Sequence, residues 1–156
     1  MCIRDRMTEG YCLSFEATCY EKGISMSYES EGGTVVRSDE KGWSKLVSIL
    51  LDNAVKYSPQ NGRIEVRIVR KKKHVYLYVA NDGEIPRDKL DKIFDRFYKA
   101  GENSNSFGLG LAMAKVITAG MNGSISCSSS DGRTVFTVCV PIREIREQGK
   151  ENKERE

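Results

Sequence analysis

Two periods alternate along the chain. Ile24-Ser25-Met26-Ser27-Tyr28 switches between apolar and polar at every residue, the repeat of a half-buried strand. Thr34-Val35-Val36, after Gly32-Gly33, reads as a short edge strand. From Asp39, a side chain suited to capping a helix, Trp43, Leu46, Val47, Leu50, Ala54 and Val55 recur at helical spacing. That predicts a helix running to about Tyr57 with one buried stripe, stopped by Ser58-Pro59-Gln60-Asn61-Gly62. The alternating pattern then returns. Ile64, Val66 and Ile68 share one face of a strand, Val75, Leu77 and Val79 share one face of the next, and Lys71-Lys72-Lys73 makes the turn between them. A short helix is expected over Asp88 to Tyr98, then a polar loop over Gly101 to Ser106, then a second long helix from near Leu109 that ends at Asn122-Gly123. A last hairpin turning at Asp131-Gly132 puts Phe136, Val138 and Val140 on one face. This order predicts an α+β fold, a two-layer sandwich of helices on one face of a mixed, mainly antiparallel sheet.

The 156 residues suit one compact domain, and 39% hydrophobic content is enough for one core. A net charge of +3, with acidic and basic residues interleaved, gives no reason to expect nucleic acid or a membrane surface as partner. No apolar run approaches the ~20 residues that span a bilayer, and no secretory leader pattern is present. The expected location is cytoplasmic, within a parent protein that could be anchored elsewhere in its chain. Five cysteines (Cys2, Cys12, Cys19, Cys127 and Cys139), without a Cys-x-x-Cys pair and with a single histidine, fit reduced thiols used as small apolar residues. Residues 1–14 read as a remnant or linker, residues 15–142 as the domain, and residues 143–156 as a solvated tail with five basic and five acidic side chains.

Three phrases carry candidate chemistry. In Asp52-Asn53-Ala54-Val55-Lys56-Tyr57-Ser58, Lys56 and Tyr57 follow Asn53 by three and four residues, so all three share roughly one helical face. An amide, an ammonium and an aromatic ring together suit a triphosphate, a metal ion and a base, and the small Ala54 lets a ligand come close. Asn81-Asp82-Gly83-Glu84-Ile85-Pro86 follows a strand, and its glycine permits close backbone approach. By itself this is also a common turn sequence. In Gly108-Leu109-Gly110-Leu111-Ala112, two glycines before a helix expose backbone N–H groups and the positive end of the helix dipole to phosphate oxygens. Leu109 and Leu111 are placed to pin the helix start to the core.

In this order and spacing the three phrases resemble the ATP-binding domain of sensor histidine kinases, in the GHKL group with the gyrase, MutL and heat-shock chaperone ATPases. The resemblance covers roughly Phe15 to Pro141. It implies an ATP pocket and transfer of the γ-phosphate to a histidine on a separate dimerisation domain, with a response regulator downstream. It implies that Asn53 binds Mg2+, that Lys56 contacts phosphate, and that Tyr57 lies beside the nucleotide. It implies base and lid contacts at Asn81, Asp82, Gly83, Ile85, Phe97, Gly108, Leu109, Gly110 and Leu111. Phe94-Asp95-Arg96-Phe97-Tyr98-Lys99 resembles the family's phenylalanine box, with Phe94 and Phe97 anchoring the lid base and Arg96 and Lys99 near phosphates.

The chain also departs from the pattern. Where the family usually has the Asp that reads the adenine amino group, Asn81 stands; an amide can accept the same hydrogen bond, and Asp82 is the second candidate. The loop is one residue and one glycine short after Gly83, and Ser106 stands where a further glycine is frequent. Four residues before Asn53, where the wider group often has a Glu base, Ile49 cannot move a proton. The only histidine, His74, sits on a hairpin and reads as a surface residue. Two other readings stay open: a serine/threonine kinase of the anti-sigma type, and a nucleotide-sensing module without phosphotransfer.

Overall fold

The computed structural model describes residues 4–31, 40–97 and 109–142. Its elements, in order, are helix α1 (Arg4–Ser14), helix α2 (Glu16–Glu21), strand β1 (Ser25–Glu31), helix α3 (Glu40–Tyr57), strands β2 (Arg63–Lys71) and β3 (His74–Asp82), helix α4 (Arg87–Leu90), helix α5 (Gly110–Gly120), and strands β4 (Ser124–Ser130) and β5 (Arg133–Pro141). The sheet runs β1-β2-β3-β5-β4; β1 pairs with β2 in parallel and every other pair is antiparallel. The expected α+β sandwich on a mixed, mainly antiparallel sheet is therefore present.

The core lies between the sheet and α3. Trp43, Leu46, Val47, Leu50, Leu51, Ala54 and Val55 are all buried along one side of the helix. Inward positions of adjacent strands line up in rows across the sheet. Val66 faces Val79, which faces Phe136, and Ile68 faces Leu77, which faces Val138. Each of these six is no more than 1% exposed. Removing that apolar surface from water, at roughly 25 cal/mol per Å², is what fixes the helix on the sheet. The turns follow the sequence: Lys72 adopts φ 54°, and Asp131 and Gly132 both have positive φ, as a tight hairpin with right-handed strand twist requires.

Two expectations need correction. Residues 1–14, read as a remnant or linker ahead of the domain, are helical from Arg4, and Thr8 and Cys12 are buried, Cys12 within the same core. The Trp43 indole N–H donates to Thr8 Oγ1 at 3.1 Å, and Tyr11 and Ser44 hydrogen-bond through their hydroxyls. The stretch has no clear helical period because only a few of its residues reach α3. The helix expected over Asp88 to Tyr98 covers Arg87–Leu90 alone. Beyond it, Lys92 and Asp95 bond three residues back in tight turns, and Phe97 has φ 64°, which a helix cannot contain. Only Ile93 is buried there, with Phe94 set edge-on to Phe136 at 6.2 Å between ring centres, so packing supports turns and not a continuous face. Thr34-Val35-Val36, the Asp39 cap, Tyr98, Lys99, Gly101 to Gly108 and the tail from Arg143 lie outside the described residues.

Cys12, Cys19, Cys127 and Cys139 are free thiols. Burial pushes Cys12 up to about 11 and Cys127 up to about 12, so both stay protonated at neutral pH and act as small apolar groups.

Candidate functional site

The inward rows are mainly apolar until the last one, which reads Met26, Ile64, Asn81, Thr134, Ser129 across the five strands. Its last three members are polar and buried, Asn81 at 3% exposure. A cleft of about 170 Å³ opens over this polar end. Asn81 and Thr134 form its floor, Asn53 and Tyr57 of α3 one wall, and Ile93 and Leu111 add apolar surface. The volume is below the ~300 Å³ at which drug-sized sites begin, so it fits a planar base with the rest of a nucleotide outside it.

The loop after β3 is tied to the sheet by a one-way chain of hydrogen bonds. Thr134 donates its hydroxyl proton to the Gly83 carbonyl at 2.8 Å. Its contact with Ser129 Oγ, 2.9 Å, must then be one that Ser129 donates. Ser129 in turn accepts the Ile85 N–H at 2.7 Å. A second clamp runs to the β4–β5 turn: Gly83 N–H donates to the Gly132 carbonyl, and Gly132 N–H donates to Glu84 Oε2 at 3.0 Å. Gly83 has φ +111°, and a Cβ there would stand 3.0 Å from the Tyr57 carbonyl. Glycine is therefore required where the loop passes the end of α3.

The residues singled out in the sequence divide into two groups. Asn53, Tyr57, Asn81, Gly83, Ile85 and Leu111 line the cleft. Asn53 is half-buried and makes no hydrogen bond among the described residues, so its amide oxygen is available to a metal ion and its amide N–H groups to a phosphate. Asp82 does not line the cleft: its Oδ2 accepts the Arg63 backbone N–H at 2.9 Å, with the Arg63 guanidinium at 3.8 Å. Lys56 is ion-paired with Asp52 at 3.0 Å on the exposed side of α3 and also stands apart. Phe97 is 70% exposed and does not pack on the core among the described residues, whereas Phe94 does. Leu109 is exposed, so Leu111 alone pins the start of α5, while Gly110 sits beside Ile49. Gly108 lies outside the described residues.

Thr134, Ser129 and Glu84 were not singled out from the sequence. A signal for the first two was present: the inward alternation of β3, β4 and β5 turns polar at the same end, at Asn81, Ser129 and Thr134. His74 is exposed at the opposite end of β3 from Asn81, about 23 Å away at ordinary strand rise. No group of three His, Cys, Asp or Glu side chains that could hold a metal occurs among the described residues.

Residues 38–144 match the family described as histidine kinase-, DNA gyrase B-, and HSP90-like ATPase. Sensor protein CiaH of Streptococcus pneumoniae is 30% identical over 136 residues, covering 83% of this chain and 31% of that protein. The chain thus spans about a third of the length of this relative. Among solved structures, the catalytic domain of histidine kinase ThkA superposes with a TM-score of 0.80 at 23% identity, covering 88% of this chain and 91% of that one. ThkA in complex with the response regulator protein TrrA superposes with a TM-score of 0.76 at 22% identity, covering 88% and 40%. The match spans the Asn53 helix, the Asn81 row and the start of α5 that together make the cleft, and the chain belongs to the histidine kinase-, DNA gyrase B-, and HSP90-like ATPases, with the fold of a histidine kinase catalytic domain.

Proposed function

We propose that the cleft holds the adenine of Mg2+-ATP and that the domain passes the γ-phosphate to a histidine on a separate dimerisation domain of a two-component sensor kinase, with a response regulator downstream. The observation that carries this reading is the convergence of Asn53, Tyr57, Asn81 and Leu111, drawn from all three sequence phrases, on one cleft. The buried polar floor orients the base, and Ile85, Ile93 and Leu111 give it apolar contact. Asn53 would hold the magnesium through one amide oxygen, which suits an ion that keeps most of its ligands as phosphate oxygens and water. When bound, that ion neutralises charge on the transferring phosphoryl group.

The chain's own residues supply position and charge. Lys56 needs only a side-chain rotation away from Asp52 to face a phosphate, because an exposed ion pair is worth about 0–1 kcal/mol. Ile49 offers no proton acceptor, so the base that activates the phosphate acceptor comes from the acceptor domain. His74 is too far from the cleft to be that acceptor. The domain sits in the cytoplasm within the proposed sensor.

Calorimetric titration with a non-hydrolysable ATP analogue and magnesium tests the pocket. Saturable binding that is lost in Asn53→Ala is expected. No binding up to millimolar ligand would sink the kinase reading. Phosphotransfer to isolated dimerisation-domain proteins then separates a histidine kinase from an anti-sigma-type serine/threonine kinase, and binding without any transfer would identify a nucleotide-sensing module. Asn81 in place of the usual Asp and the shortened loop are what keep that last reading in view.

A further inference from the structure

The side chains on the sheet side of the cleft differ in their hydrogen-bonding capacity from a carboxylate-based adenine reader. Asn81 replaces an acceptor-only group with one that both accepts and donates. One Nδ2 proton is used by the Asp82 carbonyl at 2.7 Å, which fixes the orientation of the amide. The other Nδ2 proton and Oδ1 have no partner among the described residues, although the residue is 3% exposed. Thr134 has given its only proton to the Gly83 carbonyl, so towards the cleft it can only accept. Glu84 lines the cleft, uses Oε2 for the Gly132 N–H and has Oε1 left, also an acceptor.

An adenine edge offers an amino donor and a ring-nitrogen acceptor. Its amino group satisfies Asn81 Oδ1 and its ring nitrogen takes the free Nδ2 proton of the same amide, but its edge has no further donor for the acceptors of Thr134 and Glu84. A guanine edge offers a carbonyl acceptor followed by two N–H donors. The carbonyl matches the free Nδ2 proton of Asn81, and the donors match the acceptors of Thr134 and Glu84. A carboxylate at position 81 would repel that carbonyl; the amide removes the repulsion, and with it the element that rejects guanine.

We propose that this pocket takes guanine as well as adenine, so that the domain binds GTP and ATP alike. The proposal rests on the cleft being the nucleotide pocket. Asn81 is the residue that sets base selectivity, and Glu84 the residue that favours guanine.

The test is titration with the non-hydrolysable ATP and GTP analogues plus magnesium, with the CTP analogue as control, on the native protein, Asn81→Asp and Glu84→Gln. The native protein is expected to bind both purines with affinities within about tenfold of each other. Asn81→Asp is expected to shift the ratio towards adenine by about tenfold or more, the size of discrimination that an unpaired polar edge imposes. Glu84→Gln leaves a single carbonyl oxygen to serve both Gly132 and the base, and is expected to weaken GTP-analogue binding more than ATP-analogue binding. Native protein that binds the ATP analogue more than about a hundredfold tighter than the GTP analogue overturns the proposal and leaves the nucleotide pocket standing. An unchanged ratio in Asn81→Asp also overturns it. Failure of every nucleotide to bind removes the pocket reading itself.

Discussion

Thr134→Val removes one hydroxyl from the floor of the cleft and keeps the shape of the side chain. Thr134 is 2% exposed and Ser129 8% exposed, so both hydroxyls depend mainly on protein partners. The Gly83 carbonyl loses its donor, and the Ser129 hydroxyl loses its acceptor. A net hydrogen bond contributes about 1 kcal/mol and a stranded buried polar group costs about 1 kcal/mol or more, so the loss should be about 2 kcal/mol. Urea unfolding should show this as a lower midpoint with an unchanged slope. Ser129→Ala breaks the same chain, so the double variant should lose clearly less than the sum of the two single losses. Thr134→Ser, which keeps the hydroxyl, should recover most of the hydrogen-bond loss. Nucleotide affinity should fall with stability in Thr134→Val, because the loop from Gly83 to Ile85 is no longer held against β5. A loss under about 0.5 kcal/mol, or full additivity with Ser129→Ala, would refute the claim that this chain holds the loop.

Further tests address other parts of the site and core. Gly83→Ala combines φ +111° with a Cβ 3.0 Å from the Tyr57 carbonyl and should cost about 1–3 kcal/mol in denaturant melts while weakening nucleotide binding; a neutral result would disprove the close approach. Lys56→Met should change stability by no more than about 0.5 kcal/mol, because its ion pair is exposed. It should lower affinity for the ATP analogue but not for adenosine, and equal losses for both would remove the phosphate role. The Cys12 thiol, held up near 11 by burial against an ordinary value of 9.0, is protonated in both states at lower pH. Its contribution is therefore complete below pH 9 and is lost as the pH rises towards 11, because the unfolded thiol ionises first. Thermal melts should show that fall, and Cys12→Ala should flatten it.

Most of the sheet was legible because one face of it is apolar over most of its length. Val75, Leu77 and Val79 announce a strand by alternation, and the eighteen-residue α3 announces itself by a stripe several turns long. The segment after Pro86 was misread because a short run with Phe94 and Phe97 at helical spacing looks like a helix; the fold uses Phe94 and leaves Phe97 exposed. The start of the chain was misread for the opposite reason, since Thr8 and Cys12 pack as small side chains that give little periodic signal. In the site, Asn53, Tyr57, Asn81 and Leu111 could be named from motif spacing. Whether Asn81 or Asp82 faces the cleft could not, because that depends on strand register, and a slip of one residue exchanges the two faces. Glu84 was invisible for a related reason: its partner Gly132 is 48 residues away.

The floor of the cleft belongs to β3 and β5, which are flanked by strands on both sides. Its backbone amides at Asn81 and Thr134 are paired within the ladder. Their exchange with deuterium should require opening of the whole domain, and nucleotide should slow it only as far as it raises global stability. The free energy that shapes the floor is then supplied by folding, so a ligand meets a receptor already formed on that side. Conformational entropy lost on binding is confined to the wall and to the ligand, and measured association should be limited by how those settle and not by construction of the base-reading surface.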